Sequence, residues 1–152
     1  MTDKRYITAS PPPGTFRMRR VIQQSVILPA PAQTLYAMYL DPTAHAKITG
    51  APVTIGAAAG TPFRAFDGSI SGTMLTVVAP RLIVQSWRSV HFNDDDPDST
   101  LILTFTPHAT SLGEQGRIDL VHLDVPDQDY QGVVDGWDAY YWTPWRAWLG
   151  RR

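Results

Sequence analysis

Gly136-Trp137-Asp138-Ala139-Tyr140-Tyr141-Trp142-Thr143-Pro144-Trp145-Arg146-Ala147-Trp148-Leu149 is the stretch that decides the fold, because the last sixteen residues carry four of the chain's five tryptophans. At about 100° per residue, Tyr130, Val133, Trp137, Tyr140, Tyr141, Pro144 and Trp148 fall on one face of a helix, and Gln128, Gln131, Asp135, Asp138 and Arg146 on the other. This is the pattern of one long amphipathic helix with an aromatic stripe. Rings this bulky need a broad concave partner, and the strand-rich middle of the chain can supply one only as a curved sheet wrapped around the helix. Pro144 has no amide hydrogen and its ring collides with the Tyr140 carbonyl, so a kink or restart is expected at Thr143-Pro144, with Thr143 capping the second segment. Trp142, Leu149 and Trp145 lie about 140°, 120° and 80° from Trp137, which puts an apolar surface on an otherwise polar face. A partner is expected to cover it, most simply a second copy in a symmetric homodimer; the alternative cover is the N-terminal segment with Tyr6 and Ile7.

Working outward, a chain of 152 residues suits one domain with a single core. Thirteen Lys plus Arg against fourteen Asp plus Glu leave a net charge of -1, with no positive field to hold nucleic acid or an anionic membrane. The absence of cysteine excludes disulfides, thiolate catalysis and cysteine-based metal sites. No signal-like or membrane-length apolar run occurs, so a cytoplasmic protein is the expectation. Eleven arginines to two lysines, with abundant alanine and proline, is the usage of a GC-rich bacterial genome.

Residues 1–17 are polar and contain Ser10-Pro11-Pro12-Pro13-Gly14, which neither pairs as a strand nor continues a helix, so a flexible tail is expected before a domain over 18–152. Arg19 to Leu28 is rich in β-branched residues and predicts a strand, stopped by Pro29. Pro31 opens a helix running through Leu40, and Asp41-Pro42 opens a second, Thr43 to Ile48, with Asp41 as N-cap and Gly50 as the stop. After Pro52 the period changes to two. Strands Phe63 to Phe66 and Ile70 to Val78 are expected to join through Asp67-Gly68 as a two-residue hairpin. Leu82 to Arg88, Thr100 to Thr106 and Arg117 to Val125 follow, with Ile83, Gln85 and Trp87, then Leu101, Leu103 and Phe105, then Ile118, Leu120 and His122 on the buried faces. In Ile70 to Val78 a bulge at Gly72 could switch the inward set to Leu75 and Val77.

A strand, two short helices, an antiparallel meander and a long C-terminal helix describe an α+β helix-grip fold. Four stretches make the pattern specific: Thr49-Gly50-Ala51-Pro52, Phe66-Asp67-Gly68-Ser69-Ile70-Ser71-Gly72, Ile83-Val84-Gln85-Ser86-Trp87-Arg88, and Gly136-Trp137 followed by Tyr140-Tyr141-Trp142. Together they resemble the homologues of the activator of heat-shock protein 90 ATPase, a branch of the START-like (SRPBCC) superfamily with its birch-pollen-allergen-like fold. The resemblance covers about Arg19 to Leu149. It implies an apolar cavity between sheet and helix, and a chaperone as one candidate partner. The eukaryotic members carry an additional N-terminal domain, so the resemblance is to the C-terminal domain alone. Gly60-Thr61-Pro62 also replaces the glycine pair that the family often places before the second strand.

The candidate residues follow from the inward faces. His45, His91, His108 and His122 share no metal-ligand spacing, so no metal or other cofactor is expected. His122 continues the apolar face of its strand, where a buried histidine ordinarily is a satisfied core residue; a ligand contact is the alternative. Gln85 could hydrogen-bond a ligand without the cost of burying charge, or equally a tyrosine hydroxyl or a water. Arg64, if turned inward, could fix a carboxylate. Asp94, Asp96 and Asp98 fail as a calcium loop, because Ser99 and Phe105 occupy the glycine and glutamate positions, and a solvated acidic turn is expected. No acid–base pair with evident partners appears. The reading is a non-enzymatic domain that binds a small, largely apolar molecule through Gln85, Trp87, Leu103, His122, Trp137, Tyr140 and Tyr141, with Trp142, Trp145 and Leu149 as an interface. The alternatives are a module regulating a chaperone ATPase and, by superfamily analogy, a cyclase- or hydrolase-type enzyme.

Overall fold

The computed structural model describes residues 18–111 and 113–151; the expected tail lies outside them. Strand β1 spans Arg19–Leu28. Helix α1, Ala32–Leu40, starts after Pro31, which caps it through its carbonyl instead of occupying its first turn. Helix α2, Pro42–Thr49, is capped by the Asp41 carboxylate, which accepts from the Ala44 N–H at 2.8 Å. Gly50 ends it at φ +82°, a conformation that glycine adopts without a Cβ penalty.

Strands β2 (Pro62–Ala65), β3 (Ile70–Val78), β4 (Leu82–Ser89), β5 (Ser99–Thr110) and β6 (Gly113–Pro126) complete one antiparallel sheet, in the order β1-β6-β5-β4-β3-β2. Strand alternation sets the inner face: Ile83, Gln85, Trp87 and Ser89 on β4, Leu101, Leu103 and Phe105 on β5, and Ile118, Leu120 and His122 on β6 are buried. At Gly116 a Cβ would stand 2.6 Å from Leu35 Cδ1 and 2.8 Å from the Ala30 carbonyl, so the bare backbone lets α1 lie against β6.

Two details of the meander differ from expectation. The β2–β3 turn has four residues, Phe66 to Ser69, because Ala65 pairs with Ile70. The register shift in β3 falls between Met74 and Thr76, past Gly72. Met74 therefore faces the core while Leu75 is 47% exposed, and Ile70 and Val77 both pack inward on either side of the shift.

The C-terminal helix is helix α3, Asp127–Trp137, a π-helical turn, Asp138–Trp142, and helix α4, Thr143–Gly150. Pro144 has no N–H for the Tyr140 carbonyl, and the chain widens by one residue just before it: Thr143 N–H donates to Asp138 O, five residues back. Thr143 makes no side-chain cap; its hydroxyl donates to Asp138 Oδ1 at 3.2 Å.

The wide turn also corrects the expected interface. It brings Trp142 beneath Trp137, their rings stacked at 5.7 Å and 20°, and Trp142 stacks in turn on Trp145 at 6.4 Å. Trp142 is only 7% exposed, its indole N–H donating to Gln24 Oε1 at 2.8 Å, and Trp145 and Leu149 are buried too. These three residues are interior, so they offer no surface to a second copy. The whole is a helix-grip fold. No helix is long and apolar enough to cross a membrane among the described residues.

Candidate functional site

Along α3 and the π turn, one face presents pairs four residues apart: Gln128/Asp129, Gly132/Val133, Gly136/Trp137 and Tyr140/Tyr141. These pairs form one wall of a pocket of about 650 Å³. Trp87 and Ser89 of β4, His91 just beyond it, and Phe66, Ser69 and Ile70 of the β2–β3 turn form the other.

The two glycines make the pocket deep. A Cβ on Gly136 would approach nothing closer than Tyr140 Cδ2 at 3.7 Å, and one on Gly132 nothing closer than Asp129 Oδ1 at 3.4 Å. Each Cβ would meet only a side chain of its own helix, at ordinary van der Waals distance, and both glycines line the pocket. Glycine inside a helix costs about 1 kcal/mol relative to alanine, so this wall is kept bare at the expense of stability.

Phe66 sits at the lip in left-handed backbone, φ +52°, which costs a bulky L-residue of order 1 kcal/mol or more. That conformation places its ring edge-on to Tyr140 at 5.3 Å and near Tyr141 at 6.4 Å. Tyr140 is 55% exposed, an entrance residue where the stripe predicts an interior one.

Two buried histidines hold the aromatic walls. Trp137 Nε1–H donates to His122 Nδ1 at 3.2 Å, so His122 Nε2 carries the proton toward Ser99 Oγ at 2.9 Å, and the Ser99 hydroxyl donates to the Trp87 carbonyl at 2.6 Å. Trp87 also meets the His122 ring edge at 4.7 Å. Burial pushes the His122 imidazole down to about 3, so it is neutral at ordinary pH. On the other side the Tyr141 hydroxyl donates to His45 Nε2 at 2.9 Å, and His45 Nδ1–H donates to the Tyr39 carbonyl at 2.7 Å. Burial pushes His45 down to about 4, the Tyr39 hydrogen bond opposing it, and raises the Tyr141 hydroxyl.

Of the residues expected to bind a ligand, Trp87, Trp137, Tyr140 and Tyr141 line the pocket. Gln85, Leu103 and His122 do not. They share the inward face but lie in the sealed core: Gln85 Oε1 accepts from Tyr39 Oη at 2.6 Å, its Nε2 has no partner among the described residues, and Leu103 is fully buried. Arg64 is exposed on the outer face of β2 and is not among the residues that line the pocket. The acidic loop is not merely solvated: Asp96 is buried, accepting from Asn93 N–H and Gln128 Nε2, with Arg19 at 3.7 Å.

Sequence reasoning missed the polar mouth, Ser89, His91 and Asp129, together with His45 and the two glycines. The period-four pairs were the available signal. At the mouth the His91 backbone N–H donates to Ser89 Oγ at 3.0 Å. Burial raises the Asp129 carboxyl, opposed by the His91 charge and by a hydrogen bond from Ser89. Among the described residues no group of three His, Asp or Glu side chains could hold a metal.

The family described as "Activator of Hsp90 ATPase homolog 1-like protein" has a sequence model that matches residues 29–144. A curated relative, an uncharacterized protein of Schizosaccharomyces pombe, is 29% identical over 104 residues, 62% of this chain and 31% of that one. The chain therefore spans about a third of that relative's length. Among solved structures, an HSP90 activator from Plasmodium falciparum superposes with a TM-score of 0.76 at 20% identity, over 86% of this chain and 96% of that one. Protein MLL2253 from Mesorhizobium loti superposes with a TM-score of 0.70 at 19% identity, over 87% and 98%. At these identities both are likenesses of fold. The match over residues 29–144, on a sheet that grips its last helix, places the chain in the Activator of Hsp90 ATPase homolog 1-like family.

Proposed function

We propose that this chain is a non-enzymatic START-like domain that takes up a small, largely apolar molecule between its sheet and C-terminal helix. The observation that carries the reading is the open wall at Gly132 and Gly136, where a helix forgoes stability to keep space beside Trp137 and Trp87. N-phenyl-1-naphthylamine, a neutral apolar fluorophore, is expected to bind saturably at one site per chain. Gly136→Leu, which puts a side chain into the open space, should weaken it at least tenfold while the variant unfolds no earlier than the wild type. Absence of probe binding to the wild type, or equal binding by a folded Gly136→Leu chain, would overturn the reading.

A second reading, a module that regulates a heat-shock protein 90 type ATPase, is supported by the family match. It predicts that the purified chain raises the steady-state ATPase rate of such a chaperone. An unchanged rate at saturating concentrations of this chain would remove it.

A further inference from the structure

We infer that the molecule held in this pocket carries a cationic nitrogen, a protonated amine placed against Asp129 at the mouth with its apolar body among the aromatic rings. The inference rests on the ligand-binding reading above and adds the chemical class. Phe66, Trp87, Trp137, Tyr140 and Tyr141 give the lining five aromatic side chains, whose π faces attract cations and repel anions. Among the described lining residues there is no lysine or arginine, so a carboxylate or phosphate would find no permanent positive partner.

Asp129 differs from its acidic neighbours. Asp127 pairs with Arg20 at 3.2 Å, Asp98 with Arg88 at 3.2 Å, and Asp96 has Arg19 at 3.7 Å. No arginine or lysine pairs with Asp129 among the described residues. Like any carboxylate, it has room for several donors. Its burial at the pocket wall disfavours the charge, and a cation arriving beside it would offset that cost. His91 stands at the same mouth. The head group expected is therefore an ammonium that reaches the carboxylate, with Ser89 and His91 beside it at the mouth.

Three probes of one shape isolate the head group: 1-naphthylmethylamine, 1-naphthylmethanol and 1-naphthoic acid, each displacing N-phenyl-1-naphthylamine at pH 8. The amine should bind at least tenfold more tightly than the alcohol, and the acid most weakly. Asp129→Asn should bring the amine to the alcohol's affinity while leaving the alcohol and the fluorophore unchanged. If the fluorophore binds but the acid or alcohol matches the amine, or if Asp129→Asn weakens all the probes alike, the cationic head group is wrong and the pocket reading stands. Failure of the fluorophore itself to bind would overturn both.

Discussion

Moving the protein from pH 7.5 to pH 5.0 is expected to remove about 4 kcal/mol of folding stability, since one pKa unit corresponds to about 1.4 kcal/mol. His45 and His122 are neutral in the fold, with imidazoles held down to about 4 and about 3, whereas an unfolded chain protonates both near the ordinary value of 6.5. Below 6.5 the unfolded state binds more protons, so stability present above that pH is lost as the pH falls toward the folded values. The raised Asp129 carboxyl acts in the opposite sense, since its protonation relieves a buried charge, and it softens the loss. Urea titrations followed by tryptophan fluorescence at the two pH values measure the difference. His122→Gln, whose amide can still accept from Trp137 and donate to Ser99, should halve the pH dependence whatever it does to absolute stability. A change below about 1 kcal/mol would mean that these imidazoles are not sealed from water. Because His122 ties Trp137 to Trp87, and His45 ties Tyr141 to α1, acid should loosen the pocket walls as it destabilises the fold.

Trp137→Ala should cost about 3 to 5 kcal/mol, toward the upper end, on a fold whose whole stability is of order 5 to 15 kcal/mol. Trp137 packs against Trp87 at 6.4 Å, Tyr141 at 4.8 Å and Trp142 at 5.7 Å. Truncation also strips His122 Nδ1 of its donor and leaves a buried acceptor unpaired. Trp137→Phe would keep most of the packing and lose only the hydrogen bond. A denaturant midpoint for Trp137→Ala within about 1 kcal/mol of wild type would contradict the placement of this ring at the centre of the grip.

The strands were largely legible because alternation is a strict period of two: Ile83 and Trp87, Leu101 and Phe105, and Ile118 and Leu120 all face inward as read. Leu75 escaped because the register shift sits between Met74 and Thr76, beyond the glycine that announces bulges. On the last helix a wheel of fixed angle placed Val133, Trp137 and Tyr141 correctly but put Tyr140 inside and Trp142 outside, since the π turn inserts one residue into the phase. Pro144 signalled the break, but not that the preceding turn would widen and carry Trp142 inward. Within the pocket, alternation gave the face of a side chain and not its depth along the strand, so Gln85, Leu103 and His122 were grouped with Trp87 although only Trp87 reaches the open space. His45 was illegible: its partner Tyr141 lies 96 residues away and no local pattern links a short helix to a distant one.

The most direct test of the central claim, that the bare wall of α3 is ligand space, is a paired measurement on Gly132→Ala/Gly136→Ala. Thermal unfolding and N-phenyl-1-naphthylamine affinity would be read on the same samples. Replacing two helical glycines by alanine should stabilise the chain by about 1 to 2 kcal/mol, as neither Cβ meets a close neighbour. The added methyl groups occupy the pocket, so affinity should fall as stability rises. A double variant that is more stable and binds the fluorophore as tightly as the wild type would contradict the account.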